Sequence, residues 1–436
     1  MAVSFQILPP EMRLRIEPSG RHCRVMEYLD AGSQGAIYHA ELDGRACALK
    51  WYHPYIAADA DLRARICRAV ERGAPDSRFL WPMAVAADPA GGFGYVMSLR
   101  PQAYKKLARL FSQRPSERIS LPLRDRVAIG MEIAAGFFSL HARGLCYQDI
   151  NFGAIFLAPE SLAVLICDND NVDVDGAIAT ISGTPKFMAP EIVRGVASPN
   201  ADSDLHALAV LLFYLIFYCH PLEGRAVAQR SMFSPEDEMA VFGTAPLFVF
   251  DAENDANGPL PGSHDAQAKL WAALPPGLRA LFSRAFGPGL HTPRARVIET
   301  EWVEALQILR DGCLVCPVCG FETPHCDATS TPCGWCEQPL APEAKMQIGR
   351  RALLLSPGAR VHGGLLGLSK GGMQDGVIGR VEASEGGQRV LRNVSDRIWR
   401  GEAAGLYQDI PPGGLAPLNA GNVLHFTPHS FGRIMS

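Results

Sequence analysis

The feature that constrains the fold most is a series of four short motifs between His141 and Glu191. In chain order they are Tyr147-Gln148-Asp149, Asp168-Asn169-Asp170, Gly183-Thr184-Pro185 and Ala189-Pro190-Glu191. The apolar run at residues 164–167 is typical of a buried strand, and it ends directly at an aspartate. No single motif decides the fold, but the common order and spacing of the four motifs do.

In this order the motifs resemble the catalytic loop, metal-binding turn and activation-segment end of a eukaryotic-like (Hanks-type) Ser/Thr protein kinase, usually HRD, DFG and APE. The resemblance covers roughly residues 20–312. It implies an α+β, bilobal kinase domain over residues 1–312, with an N-lobe at about 20–100 and a C-lobe at about 101–312. It further implies that Asp149 orients the substrate hydroxyl, that Asp168 binds Mg²⁺ or Mn²⁺, and that Thr184 in the substrate platform contacts Asp149.

Residues 22–50 alternate as strands do around a glycine turn, and an ordinary hairpin is the alternative reading. The resemblance makes this turn the glycine-rich loop, with Asp30 at the first glycine position, and makes Lys50 the lysine that pairs ATP phosphates. It makes residues 97–100 the interlobe hinge, whose backbone groups would hydrogen-bond adenine, with Met97 as gatekeeper. The implied ATP-binding residues are Gly32, Ser33, Gln34, Gly35, Ile37, Ala48, Lys50, Met97, Ser98, Leu99 and Arg100.

Other implied roles are structural. Residues 55–72 have a helical apolar pattern in the position of the regulatory helix. Glu71 is a weak candidate there for the carboxylate that pairs with Lys50, and a solvated surface glutamate is the favoured reading. Asp204 matches the anchor of the catalytic-loop backbone. Glu191 and Arg296 match a buried ion pair.

The catalytic loop departs from the family pattern at three positions. Asn151 stands in place of the lysine after the catalytic aspartate, and Ala154 in place of the asparagine that holds a second magnesium ion. Asn151, Asn169 and Asp170 remain open as replacement ligands. Gln148 replaces the arginine that receives an activation-loop phosphate, so we expect no gating through that contact.

Six of the twelve cysteines lie between Cys313 and Cys336. Two C-x-x-C knuckles, Cys316/Cys319 and Cys333/Cys336, predict a closed tetrahedral Zn²⁺ site in a zinc ribbon at residues 313–340. Cys313, His325 and Cys326 are second-choice ligands, and a catalytic dithiol is the alternative.

Residues 346–436 contain short alternating apolar runs, which predict an all-β sandwich or barrel. The stretch from Val377 to Phe426 faintly resembles a forkhead-associated domain, although only Gly379-Arg380 match its phosphate-binding residues. A plain β adaptor is favoured over a phosphopeptide reader, and Trp399 is expected in the core.

Composition limits the other classes of function. The formal net charge of −4 gives no basic excess for nucleic acid. The longest apolar run, residues 207–219, is too short to span a membrane, and the N-terminal residues lack a signal-peptide pattern. We therefore expect a cytoplasmic protein without a nucleic-acid or membrane partner.

Together these patterns leave three hypotheses: an ATP- and magnesium-dependent Ser/Thr kinase, a pseudokinase that serves as a nucleotide-binding scaffold, and an adaptor whose ribbon and β tail do the work. More narrowly, the string from Gly73 to Pro82, the turn from Cys167 to Val172 and the zinc-plus-β tail resemble those of the kinase of tellurite-resistance-associated gene sets. That resemblance implies a von Willebrand A-type protein substrate and a PP2C-type phosphatase as counter-enzyme.

Overall fold

The computed structural model describes residues 7–89, 91–176, 183–230, 233–325, 330–341, 344–349, 351–363, 376–384 and 388–435. The chain forms two compact units, Met1–Ile119 with Gly136–Leu211, and Ser120–Ala135 with Leu212–Ser436. The predicted domain limits at residues 312, 340 and 346 stay a prediction.

The first unit contains most of the motifs. Its strands are β1 Arg13–Glu17, β2 His22–Ala31, β3 Gly35–Leu42, β4 Arg45–Tyr52, β5 Ala84–Ala87, β6 Phe93–Ser98, β7 Lys105–Lys106, β8 Leu145–Cys146, β9 Ile155–Leu157, β10 Val164–Ile166 and β11 Asp173–Val174. Its helices are α1 Pro54–Ala57, α2 Ala60–Arg72 and α4 Pro190–Val193, while α3 Leu123–His141 and α5 Ala201–Phe217 belong to both units.

Strands β1 to β6 close into an antiparallel barrel in the order β1-β2-β3-β4-β6-β5. Side chains alternate between the two faces of each strand. On β4, Leu49 and Trp51 therefore enter the barrel core, while Lys50 and Tyr52 lie on the other face. That second face packs against α2.

Helix α2 is shorter than the sequence pattern predicts. Asp59 accepts hydrogen bonds from the backbone N–H groups of Asp61 and Leu62, so it caps the helix and makes Ala60 its first residue. The buried side chains of α2 are Leu62, Arg65, Ile66 and Ala69.

The second unit has a helical part and a β part. Its helices are α6 Arg225–Ala228, α7 Pro235–Met239, α8 Asp265–Ala273, α9 Pro276–Ala285, α10 Pro288–His291 and α11 Glu299–Asp311. Phe213, Phe248, Phe282 and Phe286 form an aromatic core there, with ring centroids of neighbouring pairs 5.3–6.3 Å apart.

The β part begins with two small hairpins. Its strands are β12 Cys313–Val315, β13 Glu322–Pro324, β14 Thr331–Pro332, β15 Pro339–Leu340, β16 Lys345–Ile348, β17 Arg351–Leu354, β18 Arg360–His362, β19 Val377–Ala383, β20 Arg389–Asn393, β21 Trp399–Ala403, β22 Leu406–Ile410, β23 Leu415–Pro417, β24 Val423–Thr427 and β25 Ser430–Met435. Strands β12 with β13, and β14 with β15, form the hairpins that carry the cysteine knuckles.

Strands β16 to β25 confirm the all-β prediction for the C-terminal region. They form a six-stranded sheet, β17-β16-β25-β24-β21-β22, and a four-stranded sheet, β18-β19-β20-β23. Trp399 is 2% exposed and packs in their common core with Leu391 and Phe426, as expected. A side chain at Gly379 would meet Trp399 at 2.9 Å, so core packing explains this glycine without a phosphate ligand.

The apolar run at residues 207–219 lies largely in the buried helix α5. No helix within the described ranges combines the length and apolar character that a membrane crossing requires.

Candidate active site

Lys50 is the centre of a polar cluster on the outer face of β4. Its Nζ atom lies 2.7 Å from Asp170 Oδ2, 3.1 Å from Gln34 Oε1 and 3.7 Å from Asp168 Oδ1. The side chain is almost fully buried. Burial would lower the pKa of Lys50, but Asp170 and Asp168 outweigh it and raise that pKa above its usual value. Lys50 is therefore a permanent cation at neutral pH.

The glycine turn lies next to this cation. Gly32 N–H donates to Gly35 O at 2.9 Å, which closes the turn, and His53 Nε2 lies 3.0 Å from Gly32 O. A Cβ atom at Gly35 would meet Trp51 O at 2.3 Å, so β4 itself requires that glycine. Gly32 has open space around it, which is what a loop that approaches phosphates needs. Ser33 is exposed, and Ile37 is half-buried.

The predicted hinge follows β6. Ala48 on β4 pairs directly with Met97, and Ser98, Leu99 and Arg100 are exposed. The Arg100 guanidinium lies 4.4 Å from the centre of the Phe156 ring. The backbone at Ser98 and Leu99 is therefore at the surface, where an adenine ring has access to it.

The backbone of the predicted catalytic loop is bonded to Asp204. Asp204 is 2% exposed, and its carboxylate accepts hydrogen bonds from the backbone N–H groups of Tyr147, at 2.5 Å, and Gln148, at 2.9 Å. Its Oδ2 atom also lies 3.1 Å from His141 Nε2. Gln148 has a φ of 72°, a conformation that costs energy for a residue with a side chain. We infer that these bonds to Asp204 compensate for it.

Asp149 follows in this loop and contacts Thr184. Thr184 Oγ1 donates to Asp149 Oδ1 at 2.6 Å, and Asn151 Nδ2 donates to Thr184 Oγ1 at 3.0 Å. The predicted contact between Asp149 and Thr184 is therefore present. Thr180 and Ser182, where charge-reversing substitutions would test the expected lack of gating, lie outside the described residues.

The oxygen of Asn151 has partners inside its own loop. Its Oδ1 atom accepts from the N–H groups of Gly153, at 2.7 Å, and Ala154, at 3.3 Å. Ala154 is buried, and its methyl group cannot ligate a metal. Asn151 therefore shapes the loop and leaves no amide oxygen directed to a second magnesium ion.

Asp168 begins the second motif with a φ of 51°. Its side chain remains 54% exposed. Loss of hydration raises the pKa of Asp168 above its ordinary value; Asp170 and Asp149 add to the rise, and Lys50 opposes it. An exposed carboxylate beside a fixed lysine fits the oxygen ligands that Mg²⁺ prefers.

The carboxylate that pairs with Lys50 belongs to Asp170, and Glu71 is an exposed surface glutamate, which is the reading that the sequence favoured. Glu71 is exposed in the last turn of α2, two residues after Ala69 and so on the far side of the helix from its buried face. Sequence reasoning missed Asp170 as a partner of Lys50. Two signals were available. Asp170 stands where the family motif has a glycine, and Arg65 and Arg68 stand where the helix should offer a carboxylate.

Two predicted roles lie outside this cluster. Glu191 and Arg296 are each buried, but they belong to different units, and their pairing stays a prediction. Arg296 Nε donates to Gly289 O at 3.0 Å within the second unit.

The four cysteines of the knuckles converge. The Sγ atoms of Cys316, Cys319, Cys333 and Cys336 all lie within 4.8 Å of one another. Cys316 Sγ is 3.5 Å from Cys336 Sγ, and Cys319 Sγ is 3.6 Å from Cys333 Sγ. A tetrahedral zinc site with bonds of about 2.3 Å needs sulfur atoms about 3.8 Å apart. The cluster is compatible with zinc.

Two of the second-choice ligands, Cys313 and His325, have other hydrogen-bond partners. Cys313 is buried and its thiol donates to Leu309 O at 3.1 Å, while His325 Nδ1 lies 2.9 Å from Thr331 Oγ1. Cys326 lies outside the described residues.

Comparison with known proteins agrees with the geometry of the first unit. Residues 96–254 match the family model described as protein kinase domain. The matched segment includes the predicted hinge, Asp149, Asp168, Thr184 and Asp204, whereas Lys50 and the glycine turn precede it.

Several curated kinases are similar to the chain. The serine/threonine-protein kinase AfsK of Streptomyces griseus is 26% identical over 263 residues, which cover 56% of this chain and 31% of that protein. AfsK of Streptomyces coelicolor gives the same values. The serine/threonine-protein kinase PknG of Mycobacterium leprae is 31% identical over 105 residues, 24% of this chain and 13% of that protein.

Among solved structures, that of vaccinia related kinase 3 is similar with a TM-score of 0.41 and 17% identity, over 56% of this chain and 77% of that one. The chain spans less than a third of the length of the AfsK proteins that it matches.

Proposed function

We propose that the chain is an ATP- and Mg²⁺-dependent protein kinase that phosphorylates serine or threonine hydroxyls of a protein partner. The observation that carries this proposal is the position of the Lys50 ammonium 3.7 Å from the half-exposed carboxylate of Asp168, beside the glycine turn. This arrangement offers a fixed cation and a metal-ligating carboxylate to the phosphates of one nucleotide.

Asp149 receives the proton in the proposed reaction. The bond between the γ-phosphorus and the bridging oxygen of ATP breaks, a bond forms from the substrate hydroxyl oxygen to that phosphorus, and the hydroxyl proton passes to Asp149. Thr184 fixes the Asp149 carboxylate by its hydrogen bond. The rate enhancement comes mainly from position and charge.

Asp168 would hold the magnesium ion, which when bound neutralises phosphate charge and orients the phosphates. The three open candidates for a second metal site fit poorly: Asn151 and Asp170 use their oxygens in other contacts, and Asn169 is fully buried. A single carboxylate site at Asp168 is therefore the arrangement that we propose.

The test is transfer of radiolabelled phosphate from ATP to a mixture of serine and threonine peptides. Asp149→Asn and Asp168→Asn should each lower turnover by at least about 100-fold. Asp43→Asn, at the exposed β3–β4 turn, is the matched control and should not. Nucleotide binding without transfer by the unaltered chain, with Mg²⁺ or Mn²⁺, would overturn the proposal. That result would favour the scaffold hypothesis, which the comparisons do not favour.

For the four cysteines we propose a structural Zn²⁺ site in a zinc ribbon, because four sulfur ligands leave no open coordination position. For the β-rich region we propose the role of an adaptor. The resemblance to the kinases of tellurite-resistance-associated gene sets adds a von Willebrand A-type substrate and a PP2C-type phosphatase to the proposal. Incubation of purified candidates with radiolabelled ATP tests the substrate directly.

A further inference from the structure

The carboxylate of Asp170 is surrounded by donors. Its Oδ2 atom accepts from Lys50 at 2.7 Å and from Tyr52 Oη at 2.8 Å, and its Oδ1 atom accepts from Tyr95 Oη at 3.4 Å. The side chain is 2% exposed. Burial alone would raise the pKa of Asp170, but Lys50 and Tyr52 hold it below its ordinary value. Asp170 is thus a fixed anion that is occupied on both oxygens.

The neighbours of Asp170 come from three elements. Tyr52 shares the outer face of β4 with Lys50, and Tyr95 on β6 pairs directly with Lys50 in the barrel. Arg65 Nε of α2 donates to the backbone oxygen of Asp170 at 3.1 Å. Because β4 and β6 hold the Asp170 carboxylate and α2 holds the Asp170 backbone oxygen, the position of this carboxylate is set by the fold rather than by a single side-chain rotamer.

Lys50 needs an anionic partner, but the side chains that α2 directs to the turn are cationic. Arg65 and Arg68 of α2 lie 4.0 Å and 3.4 Å from carboxylate oxygens of Asp173, so the helix supplies cations and the turn supplies anions. Glu71 is exposed. The described part of α2 therefore gives Lys50 no carboxylate, and Asp170 is the group that does.

We propose that Asp170 is the positioning residue that holds Lys50 for the phosphates of ATP, a role that rests on the proposed function. An ammonium group has three donors, and in this cluster they face one buried carboxylate, one half-exposed carboxylate and one amide. Asp170 fixes the Lys50 ammonium group on its buried side. The phosphates would bind on the other side, where Asp168 and Gln34 lie. Lys50 consequently stays in place whatever the position of the Glu71 side chain.

The test is the dissociation constant of a fluorescent ATP analogue with Mg²⁺, measured on the full chain without turnover. Asp170→Asn keeps the size of the side chain and removes its charge, and it should weaken binding about tenfold. Asp170→Glu keeps the charge and should recover most of the affinity. Glu71→Gln is the matched control and should leave binding within about twofold of the unaltered chain.

A double-mutant cycle separates positioning from a purely structural role. In a Lys50→Met background, Asp170→Asn should have no further effect on nucleotide affinity, because the lysine that it positions is gone. An equal loss in both backgrounds, or Asp170→Asn binding as well as the unaltered chain, would overturn the proposal.

If Asp170→Asn alone does not fold, the comparison of Asp170→Glu with Lys50→Met/Asp170→Asn decides. Tight binding by the first and weak binding by the second supports the proposal, and equal binding overturns it. Absence of nucleotide binding by the unaltered chain would overturn this role and the proposed function together. Binding without phosphate transfer would overturn only the proposed function, since the cycle does not use turnover.

Discussion

Lys50 Nζ lies 2.7 Å from Asp170 Oδ2 although the two residues are 120 positions apart in the chain. Both side chains are almost fully buried, with exposed fractions of 7% and 2%. A buried pair of this kind makes each charge depend on the other, because neither can regain its hydration when its partner is removed. The predictions about stability and pH follow from this dependence.

Lys50→Met should lower the free energy of unfolding by about 3–5 kcal/mol, because it leaves the Asp170 carboxylate buried without its cation. The double variant Lys50→Met/Asp170→Asn should lose less, since no unpaired charge remains. Asp43→Asn, which breaks the exposed pair of Arg21 and Asp43, should cost less than about 1 kcal/mol. Urea denaturation of the four proteins checks this. A double variant less stable than Lys50→Met would contradict it.

The stability that the pair supplies should be constant from about pH 5 to pH 9. The folded-state pKa of Asp170 is lowered, so its contribution is present above the unfolded pKa of about 3.9 and is lost as the pH falls through the folded pKa. The pKa of Lys50 is raised, so its contribution is present below about 10.4 and is lost as the pH rises through the folded pKa. The contribution of the pair is measured as the difference in unfolding free energy between the unaltered chain and the double variant at each pH. A maximum of this difference inside pH 5–9 would contradict the prediction.

Ala154→Asn should raise phosphate transfer by about tenfold and make it depend on a second magnesium ion, which corresponds to about 1.4 kcal/mol of transition-state stabilisation. The reason is that Asn151 Oδ1 and the Asp170 carboxylate are occupied and do not replace the missing ligand. Turnover as a function of magnesium concentration is the measurement. An unchanged rate and magnesium dependence would show that another residue already fills that place.

Glu322→Gln should destabilise the second unit by about 3 kcal/mol. Glu322, between the two cysteine knuckles, pairs with the Arg124 side chain at 2.8 Å and accepts from the Arg124 N–H at 2.7 Å in the first turn of α3. Both side chains are about nine-tenths buried. Glu337→Gln is the matched control, because Glu337 and Lys269 form an exposed pair that contributes less than about 1 kcal/mol. Urea denaturation of the two variants measures the loss of unfolding free energy. Equal losses would contradict the prediction.

The chain should bind one cobalt ion in place of zinc, with the absorption of a tetrahedral four-thiolate site. Cys333→Ser should abolish that spectrum. Cys313→Ser should leave it unchanged, because Cys313 is bonded to Leu309 O and is not part of the cluster. Removal of the metal with a chelator should lower the unfolding temperature, since a structural metal stabilises the fold that binds it. A chelator with no effect on unfolding would argue against a structural site.

Local patterns in the sequence were sufficient for several features. The alternation of β4 puts Lys50 and Tyr52 on one face, and C-x-x-C spacing puts two sulfur atoms on each knuckle. The short β runs after residue 346 predict the strands of the two C-terminal sheets. These features depend on backbone geometry over a few residues, so the sequence is enough to read them.

The position of Asp168 after β10 and the contact of Asp149 with Thr184 required the family resemblance as well. Neighbouring residues alone give no reason why loops 35 positions apart should meet. The common order of the four motifs supplied that reason, and the structure has the contact where the resemblance implied it.

By itself the sequence determined which residues carry charge and which face of a strand or knuckle they occupy. Only the tertiary structure decided that Lys50 pairs with Asp170 and that the Asn151 oxygen is used inside its own loop. The physical reason is that the free energy of an ion pair depends on the separation and burial of its two charges. For Lys50 and Asp170, both quantities are set by how β4, β6 and α2 pack around the turn at residues 168–173.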